Sequence, residues 1–285
     1  MKALYDLQAP AKLNAFLHVV GRRSDGYHLL QSVFMLIDWC DTLHLQVRTD
    51  GLISRSEEGC EPLPADDLCV RAARALQQAT GCRLGVHIHL VKRIASQAGM
   101  GGGSSDAATC LLGLMRLWNT SLPREDLQAL ALQLGADVPF FLLGRHAWVE
   151  GIGEQLQPIE LPDARFLVLK PPAGLSTPAI FASPELRRDS KAATISGFAA
   201  LGPEQIFGFG RNDLQPVAQK LQPEIGLGLQ WLSNQGLQGR MTGSGSALFA
   251  LLPAGRFADP EPGKPADGWT ARVCSMLPMH PLAGW

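Results

Sequence analysis

The stretch Ile94-Ala95-Ser96-Gln97-Ala98-Gly99-Met100-Gly101-Gly102-Gly103-Ser104-Ser105-Asp106 places four glycines in five positions. Glycine loses more conformational freedom on ordering than any other residue, so a plain structural turn seldom uses so many. Their chemical use is to let backbone N–H groups converge on an anion with no Cβ atom between. The stretch follows an expected strand and opens an expected helix, whose free N–H groups and positive dipole end suit a phosphate. Ser104 and Ser105 are expected to cap that helix, and either hydroxyl suits a phosphate or a magnesium ion. No G-x-x-x-x-G-K-[ST] string occurs, and Ser104 stands where G-x-G-x-x-G needs its last glycine. A flexible Gly/Ser turn is the bland alternative.

Other residues carry chemistry less openly. Lys12 sits between Ala11 and Leu13 in an apolar run, where an unpaired ammonium is costly to bury. Asp137 follows Gly135 closely and precedes Pro139 by two positions, so by position it caps a new helical turn. Tyr27 and His28, after Asp25-Gly26, read as packing beside a turn. His87 and His89 share a strand face, a spacing metals use, but no third ligand stands nearby and a solvated or packed pair is expected. The six cysteines form no C-x-x-C pair, which points to reduced thiols rather than a zinc knuckle or a redox dithiol.

The elements that must position these residues alternate in the first half. Residues 13–20 and 30–37 are apolar strand-like runs, and 43–47 and 84–91 alternate with period two. A helix is expected over 66–80, capped by Asp66 and ended by Gly81. A second should run over 105–118, and a third over 123–134 with Ser121 as its cap and Gly135 as terminator. In the second half, strands are expected at 165–170, 247–252 and 269–275, with helices near 213–221 and 223–234. Residues 172–203 and 255–268 read as loops.

Length and composition bound the rest. A chain of 285 residues exceeds one ordinary domain, so two lobes are expected, 1–155 and 156–285. Hydrophobic residues make up 46% against 18% charged, ample for buried cores. A formal net charge of −1 argues against a generic nucleic-acid binder. The first residues carry charge and proline where a signal peptide needs an unbroken apolar stretch, and no window is apolar enough for a membrane span. A cytoplasmic protein is expected, acting on a small molecule, without membrane or nucleic acid, as a monomer or weak homodimer.

Three motifs stand in a telling order: Pro10-Ala11-Lys12-Leu13-Asn14, the glycine loop, and Met241-Thr242-Gly243-Ser244-Gly245-Ser246. This order resembles the superfamily named for galactokinase, homoserine kinase, mevalonate kinase and phosphomevalonate kinase. Gly21-Arg22-Arg23-Ser24-Asp25-Gly26-Tyr27-His28 and Leu134-Gly135-Ala136-Asp137-Val138-Pro139-Phe140-Phe141 narrow the resemblance to the 4-diphosphocytidyl-2-C-methyl-D-erythritol kinase family. It spans residues 10 to about 252, nearly the whole chain. Ala95 and Met100 depart from the pattern, standing where these kinases usually have proline and leucine.

The resemblance implies an α+β, two-lobed fold: an N-terminal lobe like the second domain of ribosomal protein S5, a ferredoxin-like C-terminal lobe, and the active site between them. It implies ATP with magnesium, and phosphorylation of the 2-hydroxyl of the methylerythritol unit in the non-mevalonate route to isoprenoid precursors. Asp137 is then the catalytic base, with Lys12 beside it as electrostatic partner. Ala95, Ser96, Gln97, Ala98, Gly99, Met100, Gly101, Gly102, Gly103, Ser104 and Ser105 are the nucleotide loop, and Ser105 is a candidate metal ligand. Tyr27 and Phe181 sandwich the cytosine, His28 reads its edge, and Asn14 and Thr177 bind the polar middle of the substrate. A nucleotide-binding regulator without catalysis has little need for both Lys12 and Asp137, and an RNA-binding role rests on fold analogy alone.

Overall fold

Two long strands carry the architecture. β1 (Ala3–Arg22) and β2 (His28–Arg48) pair antiparallel along most of their length. The apolar runs expected as separate strands at 30–37 and 43–47 are one continuous strand. The polar interval between them is no break, because the buried Asp41 carboxylate accepts from Lys92 and from the backbone N–H groups of Arg93 and Ile94. A computed structural model describes residues 2–59, 62–253 and 263–285, with only the backbone of Glu204; Cys60 and residues 255–262 of the expected loop lie outside it.

Register shifts after Pro10 and after Asn14 re-aim the side chains of β1. Leu7 and Ala9 face one core, Ala11, Leu13 and Ala15 a second, and Leu17 and Val19 a third. Between the two shifts, Lys12 and Asn14 share the face opposite Ala11 and Leu13. Strand geometry alone thus sets a lysine and an asparagine side by side.

The first sheet runs β3 (Ile53–Glu58), β4 (Gly85–Val91), β2, β5 (Ala147–Glu150) and β6 (Gln155–Pro158), with β1 added on β2. β3 and β6 were not expected, since their sequences ISRSEE and QLQP lack apolar alternation. Ser54 and Ser56 of β3 hydrogen-bond the ring of His87, and Ser56 also meets His89, which accounts for that histidine pair without a metal. Helix α1 (Leu68–Thr80) is capped by Asp67, whose side chain accepts from the Val70 N–H at 3.1 Å; Asp66, the expected cap, pairs instead with Arg74. α2 (Gly102–Leu117) begins three residues before Ser105, with Gly101 as its N-cap. Ser104 and Ser105 therefore lie inside its first turn and do not cap it. α3 (Arg124–Leu134) starts from Pro123 with no side-chain cap, so Ser121 is not its cap, and α4 (Val138–Leu143) follows Asp137.

The second sheet is antiparallel, in the order β10 (Thr270–Ser275), β7 (Arg165–Lys170), β9 (Leu248–Leu251) and β8 (Gly239–Met241). Three short helices, α5 (Thr177–Ala182), α6 (Ile195–Ala199) and α7 (Pro203–Ile206), occupy the region read as loop or lie at its edge. At four to six residues they are too short to show a helical period. α8 (Gln215–Leu221) and α9 (Glu224–Asn234) complete the lobe. The tail after β10 returns to the first lobe: Leu277 N–H donates to Leu36, His280 N–H to Gly144, and Leu282 is buried in the first core.

Candidate active site

The glycine loop is built by close backbone approach. Gly99 and Gly101 both have φ of +72°, a left-handed conformation that L side chains seldom adopt. A Cβ on Gly99 would stand 2.3 Å from the Thr242 carbonyl oxygen, and one on Gly101 would strike the Phe141 ring and approach the Lys12 stem. The Met241–Ser246 motif thus packs backbone to backbone on the loop. Ser246 N–H donates to Gln97 O at 3.1 Å, and Ala247 N–H to Ala98 O at 3.1 Å. Gly101 offers α2 no side-chain cap, so the N–H groups of the first turn stay free for an external anion.

Lys12 is fixed beneath this loop. Its backbone N–H donates to Met100 O at 3.0 Å, tying β1 to the loop, and its ammonium donates to Asn14 Oδ1 at 2.6 Å. Nζ also lies 4.6 Å from the centre of the Phe34 ring and 3.8 Å from Asp137 Oδ2. Burial lowers the lysine from its ordinary range, and the Asp137 charge partly restores it. Asp137 stands at the start of α4, where a capping carboxylate is expected, yet its side chain makes no capping bond. It is 32% exposed and lines the same cavity as Lys12. Asn14 is held in turn, donating to Ser32 Oγ at 2.8 Å and meeting Thr242 Oγ1 at 3.2 Å.

These groups line one cavity of about 780 Å³, with walls from residues 94–104, Asp137, Thr177, Phe181 and the 243–245 turn. That volume suits a nucleotide or a substrate of similar size. Ala95 and Met100 both fit the loop without displacing a glycine, Met100 being buried.

Family models match in both halves: GHMP kinases N terminal domain over residues 67–145, and GHMP kinases C terminal over residues 190–262. A 4-diphosphocytidyl-2-C-methyl-D-erythritol kinase of Polaromonas sp. (strain JS666) is 68% identical over all of this chain and 95% of its own length. The enzyme of that name from Polaromonas naphthalenivorans (strain CJ2) is 65% identical, over 100% and 97%. The chain belongs to the GHMP kinases, in the 4-diphosphocytidyl-2-C-methyl-D-erythritol kinase family. A crystal structure of a 4-(cytidine 5'-diphospho)-2C-methyl-D-erythritol kinase superposes with a TM-score of 0.76 at 35% identity, over 94% of this chain and 98% of the other. Homoserine kinase from Cytophaga hutchinsonii shares the fold, with a TM-score of 0.72 at 14% identity, over 98% and 96%.

In this kinase the residues of the expected cytidine end sit at the β1–β2 turn and on α5. Tyr27 is 60% exposed at the β1–β2 turn, whereas the His28 ring lies 5.0 Å from Phe181, tilted by 31°. Thr177 Oγ1 meets Ser244 Oγ at 2.5 Å, joining α5 to the third motif. Ser104 lines the cavity, while Ser105 is fully buried and its Oγ has no hydrogen-bond partner among the described residues.

Sequence reading passed over a buried charge cluster below the loop. Lys92, at the end of β4, pairs with Asp41 and, at 2.6 Å, with Asp106 of α2. Burial alone would lower Lys92, but Asp106 and Asp41 outweigh it and raise the lysine above its usual range. Asp106 is pushed up by burial, and its Oδ1 has no hydrogen-bond partner among the described residues although the residue lines the cavity. A charged residue next to Ser105 in a glycine loop was the one available signal for it.

Proposed function

We propose that this kinase transfers the γ-phosphoryl group of ATP to the 2-hydroxyl of 4-diphosphocytidyl-2-C-methyl-D-erythritol, with Asp137 as base and Lys12 as its electrostatic partner. One observation carries the residue assignment. Asp137 stands where a capping aspartate belongs, makes no cap, and instead faces a buried lysine 3.8 Å away in the cavity beside the glycine loop. The acceptor and the isoprenoid route rest on the relatives, 58–68% identical over the whole chain, that bear this enzyme's name.

Phosphoryl transfer asks the protein chiefly for positioning and charge stabilisation. The free N–H groups of Gly102, Gly103 and Ser104 hold the phosphate oxygens at the α2 N-terminus. Asp137 accepts a hydrogen bond from the acceptor hydroxyl, orients its oxygen toward phosphorus, and takes its proton as the new P–O bond forms and ADP departs. Lys12 keeps that carboxylate ionised and favours the negative charge developing on the acceptor oxygen. Asn14 holds the Lys12 ammonium in place through the 2.6 Å bond. Magnesium, when bound with the nucleotide, neutralises phosphate charge. Asp106, which lines the cavity and has one oxygen without a hydrogen-bond partner among the described residues, would hold such an ion, whereas Ser105, the ligand expected from sequence, is fully buried and does not line it.

Asn14, Thr177 and Phe181 line the acceptor side of the cavity, and His28 stands behind Phe181. On this reading the 1–155 lobe holds ATP, and the 156–285 lobe contributes most of the acceptor site. We infer a cytoplasmic enzyme, a monomer or weak homodimer, that acts on a small molecule; no helix among the described residues is long and apolar enough to cross a membrane. The test is ADP release from magnesium ATP with the cytidyl diphosphate acceptor, homoserine or mevalonate. Turnover with the cytidyl acceptor alone is expected. Turnover only with homoserine or mevalonate would overturn the acceptor assignment.

A further inference from the structure

Arg188 has no place in the scheme above, yet it holds the acceptor end of the cavity together. Its Nε donates to His28 Nε2 at 3.0 Å. Nη1 donates to Leu186 O at 2.9 Å, and Nη2 to Phe181 O at 3.2 Å and Ser183 O at 2.8 Å. One guanidinium thus ties the C-terminal end of α5, which carries Phe181, to the first residue of β2. The His28 ring in turn packs on Phe181, at 5.0 Å between centroids.

The chemistry of this contact is one-sided. A guanidinium has donors only, so His28 must present a lone pair at Nε2 and carry its proton on Nδ1. An imidazolium has no lone pair to offer, and its charge would oppose the arginine. We propose that Arg188 is a positioning residue for the pyrimidine end of the acceptor site, holding Phe181 and α5 against the β1–β2 turn through neutral His28 and releasing them when His28 takes a proton. The proposal rests on the cytidyl reading of the acceptor.

The surroundings favour the neutral ring. Burial lowers His28 from its ordinary range, and two cations add to that: Arg188 from the segment after α5, and Arg22 from the end of β1. These are the charged groups that bear on it. The rest of the segment is pinned independently of the histidine. Gln31 exchanges hydrogen bonds with Ala193, and Ser190 N–H donates to Val19 O at 3.0 Å. Release of Arg188 therefore frees the Phe181 end while the far end stays attached.

A carbonyl-capping arginine with no tie to the acceptor would leave substrate affinity unmoved, and that is what the test reads. Steady-state kinetics on Arg188→Met should show the KM for the cytidyl acceptor raised about tenfold or more, with the KM for ATP within about twofold. In the parent enzyme, the acceptor KM should rise as pH falls below the ordinary histidine range. In His28→Gln, whose amide oxygen supplies an acceptor that does not titrate, that acid-side rise should disappear. NMR of the imidazole nitrogens in the ligand-free parent protein should place the proton on Nδ1, with a midpoint that moves upward in Arg188→Met. A normal acceptor KM in Arg188→Met, an acid-side rise that persists in His28→Gln, or a proton on Nε2 would each overturn the proposal. Failure of the cytidyl reading is seen separately, as no turnover of that acceptor by the parent enzyme.

Discussion

At the scale of single residues, the proposed chemistry turns on Lys12 and Asp137. In sequence, Lys12 was conspicuous because a cation inside an apolar run needs a partner. Asp137 was not, since its place before Val138-Pro139 suits a helix cap, and only the resemblance to a kinase family gave it chemistry. Its missing capping bond and its 3.8 Å approach to Lys12 are tertiary facts that no local pattern encodes. The pair has a consequence in pH. Burial lowers Lys12 below its ordinary value of 10.5, so the lysine loses its charge as pH rises through that depressed value. The kcat profile should therefore fall on its alkaline side earlier than an exposed lysine would allow. Lys12→Arg, which stays charged throughout, should remove that fall even if its overall rate is lower. An alkaline fall retained in Lys12→Arg would assign it to another group.

At the scale of elements, the loops and caps decide what was legible. The glycine run announced its role because few other uses justify its entropic cost. The start of α2 was misplaced, because serines are favoured caps while the real N-cap, Gly101, is chosen for a left-handed backbone and an uncovered first turn. Strands β3 and β6 escaped notice since each brings a single apolar residue, Ile53 or Leu156, to the first core and is otherwise polar, which leaves no alternation to read. The mutual approach of the Gly99 and Gly243 backbones, over a hundred residues apart in sequence, is beyond any local reading. It does make a firm prediction. Gly99→Ala places a Cβ against the Thr242 carbonyl and forces a left-handed alanine, which costs at least about 1–2 kcal/mol from the backbone alone. A lowered Tm and a raised KM for ATP are expected together. Gly103→Ala, whose nearest neighbour is a Leu68 methyl at 3.5 Å, should be tolerated far better. Equal losses in the two variants would show that the loop-on-loop contact is not what holds the site.

At the scale of the molecule, the two-lobed α+β fold was implied by the family resemblance that five motifs carry, but the return of the tail to the first lobe was not. His280 anchors it, with Nδ1 accepting from the Leu282 N–H at 3.0 Å and Nε2 paired with Thr109 Oγ1 at 3.2 Å. Burial lowers this imidazole to about 4. The folded chain then binds fewer protons than the unfolded one, so stability is full above the ordinary histidine range and declines as pH falls toward about 4. The loss at the lower end is roughly 3 kcal/mol. Urea unfolding of His280→Gln should show a shallower decline over that interval, and an unchanged slope would remove the histidine from the explanation. The cavity lined by the glycine loop, Lys12 and Asp137 also takes wall residues from the second lobe, and its chemistry is open to one direct measurement. Asp137→Asn keeps the shape of the side chain and removes its charge. With magnesium ATP and the cytidyl diphosphate acceptor, kcat should fall by about 10²–10⁴ while ATP affinity stays within about threefold. Turnover within about tenfold of the parent enzyme would contradict the assignment of Asp137 as the base.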